Sequence, residues 1–214
     1  PSQRLKPSDT DGRVDSLGTD PTMVDVLSVP ESQPEVLNKD SVSRIRKLAA
    51  IDIGTNSTHL LVAAVDTSLG TFNIEQAEKS TTRLGERDPE TGALTDAAMK
   101  RGLETLRRFR ELAASHAVEE VVTAATSAVR EAPNGRDFLQ VVKDELGLEV
   151  DLVSGPEEAR LIYLGVLSGM PFGERPHLVL DIGGGSTELI LADGRDARAL
   201  TSTRVGAVRL QRDF

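Results

Sequence analysis

The 214-residue sequence has no cysteine and no tryptophan, a single tyrosine and five phenylalanines. Without thiols it forms neither disulfides nor thiolate metal sites and has no cysteine nucleophile, so any metal chemistry falls to oxygen ligands and a hard, Mg²⁺-like cation. No segment approaches the roughly 20 apolar residues of a membrane helix. The opening Pro1-Ser2-Gln3-Arg4 shows neither an initiator Met nor a charged-then-apolar leader, so a cytoplasmic location is expected. Positive charge is also scarce: 25 Lys and Arg face 34 Asp and Glu, a net charge of −9. General nucleic-acid and membrane-surface binders hold phosphates with a cation surplus, so neither partner is expected, and an anionic substrate needs a local arrangement. The Gly-x-x-x-x-Gly-Lys-Ser/Thr pattern is absent too, which removes the phosphate-binding lysine of a P-loop.

Residues 1 to about 45 hold five of the ten prolines and many Ser, Asp and Glu without a sustained apolar period, the composition of a disordered tail. Apolar runs then follow at Leu48–Ile53, His59–Val65 and Thr71–Glu78, separated by Gly-containing turns, and read as three antiparallel strands. Thr95 is placed to cap a long helix in which Met99, Leu103, Leu106, Phe109 and Leu112 recur at helical spacing to near His116. Glu119–Ala125 reads as a strand, Gly135–Leu146 as a helix closed by Gly147, Leu148–Val153 as a strand and Pro156–Gly169 as a helix with Pro in its first turn. The order is βββαβαβα.

At His177 the program restarts. Ala49-Ala50-Ile51-Asp52-Ile53-Gly54-x-x-Ser57 matches Val179-Leu180-Asp181-Ile182-Gly183-x-x-Ser186, with the two Asp 129 residues apart. Thr187–Ala192 and Ala197–Arg204 then read as further strands. Such duplication describes two similar lobes facing one cleft, each supplying one loop. The expected division is a tail over 1–45, a first α/β lobe over 46–172 and the start of a second lobe over 173–214. The second lobe stops short of about 60 to 100 residues of further elements, so the chain is expected to be a fragment. An apolar open edge is expected at Leu178–Ile182, leading to poor solubility or a homodimer and to slow turnover.

In each loop an Asp ends a buried strand and a Gly follows two positions later, where the backbone turns without a Cβ in the way. Successive amides then make an anion-binding concavity, with Ser and Thr hydroxyls as added donors. The Asp repels phosphate unless a divalent cation lies between them. One Asp-x-Gly turn is weak evidence, but two with matching flanks and a triple glycine imply a phosphorylated ligand. Arg130, just beyond a predicted strand end, stands where open α/β sheets place ligand groups; a surface salt bridge explains it equally well.

The segments Asp52-Ile53-Gly54-Thr55-Asn56-Ser57, Thr126 to Arg130, Ser154-Gly155-Pro156-Glu157-Glu158-Ala159-Arg160 and Asp181 to Glu188 together resemble the exopolyphosphatase and guanosine pentaphosphate phosphohydrolase family, within the actin, sugar-kinase and heat-shock ATPase superfamily. The resemblance runs from about Arg46 to Phe214 and implies a ribonuclease H-like α/β lobe followed by the truncated start of a second. It also implies Mg²⁺-dependent release of terminal phosphate from polyphosphate or, alternatively, from guanosine pentaphosphate. Carried onto this chain, Glu158 looks like the base that activates water, and Asp181 and Glu188, with Asp52, look like the metal-holding residues. Gly54, Thr55, Asn56, Ser57, Gly183, Gly184, Gly185, Ser186, Thr187 and Arg130 look like phosphate contacts. Glu157 points about 100° away from Glu158 on a helix, so only one of them faces a cleft.

The three histidines show no ligand spacing. The basic helix face of Lys100, Arg101, Arg107, Arg108 and Arg110 reads as solvated rather than as a polyphosphate track. Two other functions use similar loops: a kinase of the same superfamily, and a nucleotide-binding switch without turnover. A kinase excludes water and needs an acceptor, so a dedicated water-activating Glu favours hydrolysis.

Overall fold

Period-two burial along the first strand organises the fold. Ala49, Ile51 and Ile53 turn one way and are buried, while Ala50 and Asp52 turn the other way and are exposed. The structure is a computed structural model and describes residues 45–214 except Pro171 and Arg195, all within one unit. The expected tail falls on residues outside that range.

Three antiparallel strands, β1 (Ile45–Ile53), β2 (Thr58–Asp66) and β3 (Thr71–Ser80), are followed by helix α1 (Asp96–Ser115). Thr95 caps this helix by accepting a hydrogen bond from the Ala98 amide, which stabilises it by about 1 kcal/mol. Strand β4 (Glu120–Ala125) returns parallel to β1 and leads into one turn of helix, α2 (Ser127–Arg130), and then α3 (Gly135–Leu146). Gly147 ends α3 at φ 64°, a left-handed conformation that favours glycine. Strand β5 (Val150–Leu152) is shorter than the predicted Leu148–Val153 because Leu148 is buried in the helical core instead of pairing. The sheet order is β3-β2-β1-β4-β5, that of a ribonuclease H-like lobe.

Helices α1 and α3 cover one face of this sheet. Phe109 and Phe138 are the largest fully buried side chains there, packed with Ile51, Ile53, Leu60 and Val142. Burying each Phe contributes about 1.5–3 kcal/mol. The uncovered face is the one that carries Asp52.

Helix α4 (Gly155–Gly169) follows β5, with Ser154 as its cap and Pro156 in its first turn. It buries Ala159 and Tyr163 against Ile190 and Ala192 of a second sheet formed by β6 (Pro176–Ile182), β7 (Thr187–Asp193) and β8 (Asp196–Thr203). Tyr163 donates to the Gly194 carbonyl at 3.1 Å, and its hydroxyl also meets His177 Nε2 at 3.1 Å. The fourth helix therefore joins the first sheet covalently and the second by packing. A Cβ on Gly155 would lie 2.6 Å from that of Ser202 on β8, so only glycine permits this approach of helix to strand. Strand β6 is an edge of the second sheet and exposes Leu178, Leu180 and Ile182. A short helix α5 (Ala207–Asp213) completes the described chain.

Candidate active site

The repeat in sequence is a repeat in hydrogen bonding. The Gly54 amide donates to the Ser57 carbonyl at 3.1 Å, and the Gly183 amide donates to the Ser186 carbonyl at 2.9 Å. The flanking hairpins share one register: Asp52 pairs with His59 on β2, and Asp181 pairs with Glu188 on β7. Each loop thus presents a carboxylate at the end of its first strand and a second polar side chain directly across the hairpin.

The loops meet face to face. A Cβ on Gly185 would lie 2.4 Å from Ser127 Oγ and 2.6 Å from Thr55 Oγ1, so the approach requires glycine. Beneath it the Thr55 and Ser127 hydroxyls are hydrogen-bonded at 2.9 Å. The first loop is braced from behind by the Arg83 and Gly85 amides, which donate to the Asn56 and Thr55 carbonyls at 2.9 and 2.8 Å. The Ala207 and Val208 amides brace the second on the Gly183 and Gly184 carbonyls, both at 2.9 Å.

Between the loops lies a cleft of about 520 Å³ lined by Asp52, Gly54, Thr55, Asn56, Ser57, Glu158, Asp181, Gly183, Gly184, Gly185, Ser186 and Glu188. Two residues of the sequence-derived set do not line it. Thr187 donates its hydroxyl to the Val205 carbonyl. Arg130 stands behind Glu158, donating to its Oε2 at 3.1 Å and to the Val153 carbonyl at 2.8 Å.

Glu158 enters the cleft from the first turn of α4, where Ser154 accepts a hydrogen bond from the Glu157 amide and the Glu158 amide bonds the Ser154 carbonyl. Its neighbour Glu157 points out to solvent and is paired with Arg160 at 2.8 Å. Burial, with the Glu188 charge adding to it and the Arg130 hydrogen bond opposing both, pushes the Glu158 carboxyl up to about 7. Loss of water disfavours the charged form, and a like charge across the cleft does the same. Glu188 is buried and accepts a hydrogen bond from Ser202 Oγ at 2.7 Å. Loss of water in the cleft also holds the Asp52 carboxyl above the ordinary range, with His59 opposing and the Asp181 charge adding to the effect.

Among the described residues no three His, Asp or Glu side chains converge on one point. An all-protein cage of the kind that holds Ca²⁺ or Zn²⁺ is therefore not formed. Mg²⁺ takes one or two carboxylates and fills its octahedron with water and phosphate oxygens. Asp52, Asp181 and Glu188 are oxygen donors in the cleft beside amide-rich loops, and one or two of them, rather than a convergent trio, would meet that requirement.

Sequence reasoning missed His59, Lys79 and Ser127, which also line the cleft. The register of a hairpin turning at Gly54–Ser57 places His59 opposite Asp52, so its signal was there. Lys79 and Ser127 depend on how the hairpins and the β4–α2 turn pack, which no local pattern specifies. Among the described residues no helix is long and apolar enough to cross a membrane.

The sequence profile of the Ppx/GppA phosphatase family matches residues 50–214. A guanosine-5'-triphosphate,3'-diphosphate pyrophosphatase from Photobacterium profundum is 41% identical over 169 residues, 78% of this chain and 33% of the relative. The corresponding protein from Vibrio vulnificus is 40% identical over the same shares. The chain thus spans about a third of the length of these curated relatives. Among solved structures, an exopolyphosphatase from Cytophaga hutchinsonii superposes with a TM-score of 0.75 at 34% identity, over 79% of this chain and 54% of that one. The Ppx/GppA family member from Aquifex aeolicus gives 0.69 at 34% identity, over 80% and 55%. Paired glycine loops, a capped helix delivering Glu158 between them and a match over most of the sequence converge on one assignment: the chain belongs to the Ppx/GppA phosphatase family.

Proposed function

We propose that this protein hydrolyses terminal phosphoanhydride bonds, releasing phosphate from the end of a linear polyphosphate chain. The observation that carries the reading is Glu158, a carboxyl poised near 7 in the cleft shared by both glycine loops. A general base works best when its pKa lies close to the working pH.

The loop amides and the Ser57 and Ser186 hydroxyls hold phosphate oxygens, orienting the terminal phosphoryl group with its bridging oxygen away from Glu158. Glu158 accepts a proton from a water aligned for in-line attack. Arg130 fixes the direction of that carboxylate and limits how far its pKa rises. Phosphoryl transfer asks mainly for positioning and charge stabilisation, which fixed amides supply without reorganising. Asp181 and Glu188, with Asp52 beside them, would hold Mg²⁺, which would neutralise part of the phosphate charge.

Guanosine pentaphosphate is the second reading, favoured by the curated relatives, which are named as guanosine-5'-triphosphate,3'-diphosphate pyrophosphatases. Its 5'-triphosphate offers the same terminal phosphoanhydride to the same loops. Phosphate release from both substrates, with Mg²⁺ present or chelated, tests the proposal. Release without an acceptor, lost in Glu158→Gln, is expected; strict dependence on an acceptor makes the protein a kinase and ends it.

A further inference from the structure

Beyond the Thr55–Ser127 pair, on the side away from Glu158, the structure opens a second crevice of about 570 Å³. Three guanidinium groups line it: Arg87 from the loop after β3, and Arg209 and Arg212 from α5. Their partners differ. Arg209 is paired with Glu131 at 2.5 Å and also donates to the Gly185 carbonyl at 3.0 Å. Arg212 is paired with the adjacent, exposed Asp213 at 2.8 Å. Arg87 donates through Nη2 to the Ala128 carbonyl, but its Nη1 is closed off from water and meets no acceptor.

A buried donor on a permanently charged group is costly to leave without an acceptor. The two acidic side chains in the crevice do not supply one. The Asp88 carboxylate is occupied by the Glu90 and Thr91 amides and the Thr91 hydroxyl, and Glu131 by Arg209. Loss of water around Arg87 opposes its charge, the Glu131 carboxylate supports it, and the nearby Arg212 and Arg209 oppose it. An oxyanion entering here would meet Arg87 and Arg212, and a small rotation would bring Nη1 onto it.

We propose that this crevice is a second oligophosphate-binding subsite, built by Arg87, Arg209 and Arg212 and separated from the hydrolytic cleft by the Thr55–Ser127–Gly185 contact. The ligand chemistry is a string of phosphoryl groups. It arrives either as the distal part of a chain whose end lies in the cleft or as free pyrophosphate. The first source rests on the polyphosphate reading above; the second does not. Planar, multi-donor guanidinium groups suit several neighbouring phosphate oxygens better than a point-charge lysine.

The test is calorimetric binding of pyrophosphate, tripolyphosphate and a longer polyphosphate at constant ionic strength. The protein is the 214-residue chain carrying Glu158→Gln, so that hydrolysis does not consume the ligand. Arg87→Gln and Arg212→Gln, each added to it, are expected to weaken binding about tenfold. If the subsite serves the chain, affinity rises with length and the arginine variants flatten that rise. If it serves a free anion, pyrophosphate affinity falls while the length dependence stays. Unchanged binding of all three ligands, in either variant that still melts like the parent, overturns the proposal. Failure of the hydrolase reading is seen separately, as absence of phosphate release by the unsubstituted protein.

Discussion

The Arg130 guanidinium donates to Oε2 of Glu158 at 3.1 Å while a second hydrogen bond ties it to the Val153 carbonyl. This arrangement anchors the side chain from α4 to the end of the central sheet. It also sets two opposing influences on one carboxyl: burial and Glu188 push its pKa up, and Arg130 pulls it down. The first three predictions follow from that balance.

Glu158→Gln keeps the shape and still accepts from Arg130, but it has no basic oxygen with which to take a proton. Phosphate release should fall about 100- to 10,000-fold, with substrate binding retained. A variant with more than half the parental rate would remove Glu158 from the mechanism.

The same substitution should alter stability with a definite sign. The folded-state pKa of Glu158 lies near 7, above its ordinary 4.5. The folded state therefore binds the proton more tightly, and this contribution to stability is complete below pH 4.5 and lost as pH rises through about 7. A shift of that size corresponds to about 3 kcal/mol. Glu158→Gln should accordingly melt at a higher temperature than the parent at pH 8, with the gap closing by pH 4.5. Parallel melting curves across that range would contradict the assigned environment.

Arg130→Gln removes the group that opposes the upward shift. The Glu158 pKa should then climb above its present value, leaving more of the carboxyl protonated at neutral pH. The acid limb of the kcat/KM profile should move to higher pH, with activity partly recovered in alkaline buffer. A limb that stays in place while the rate drops would instead assign Arg130 to direct phosphate contact.

Gly185→Ala brings a methyl group to within 2.4 Å of Ser127 Oγ and 2.6 Å of Thr55 Oγ1. Overpacking of this kind costs about 1–3 kcal/mol, and here the strain is relieved by parting the two loops. Both the melting temperature and phosphate release should fall, and unchanged kinetics would show that the loops need not touch.

Chelating divalent cations should stop turnover, because the cleft otherwise sets Asp52, Asp181 and Glu188 against an anionic substrate. Asp181→Asn should raise the Mg²⁺ concentration needed for half-maximal rate. Full activity in chelator would place charge neutralisation wholly on the amides and arginines.

Much of this molecule was legible in one dimension. The cap at Thr95, the stop at Gly147, the Ser154–Pro156 helix start and the two matched Asp-x-Gly turns all appear where local pattern puts them. These signals are local: hydroxyl caps, left-handed glycines and period-two strands depend on a few neighbouring residues and on elementary sterics. They determined the elements, the duplicated loops and the face of β1 on which Asp52 lies.

Tertiary structure decided the partnerships. Only the folded chain shows that α4 packs its apolar side on the second sheet, that Arg130 lies behind Glu158, and that Arg209 reaches Glu131 across 78 positions of sequence. Each of these joins residues that local pattern treats independently. Which cation meets which carboxylate depends on the distance between elements after packing, and on how much water that packing leaves between them. A sequence carries no direct record of either quantity, so the pairing of charges around the cleft emerges only once both sheets are in place.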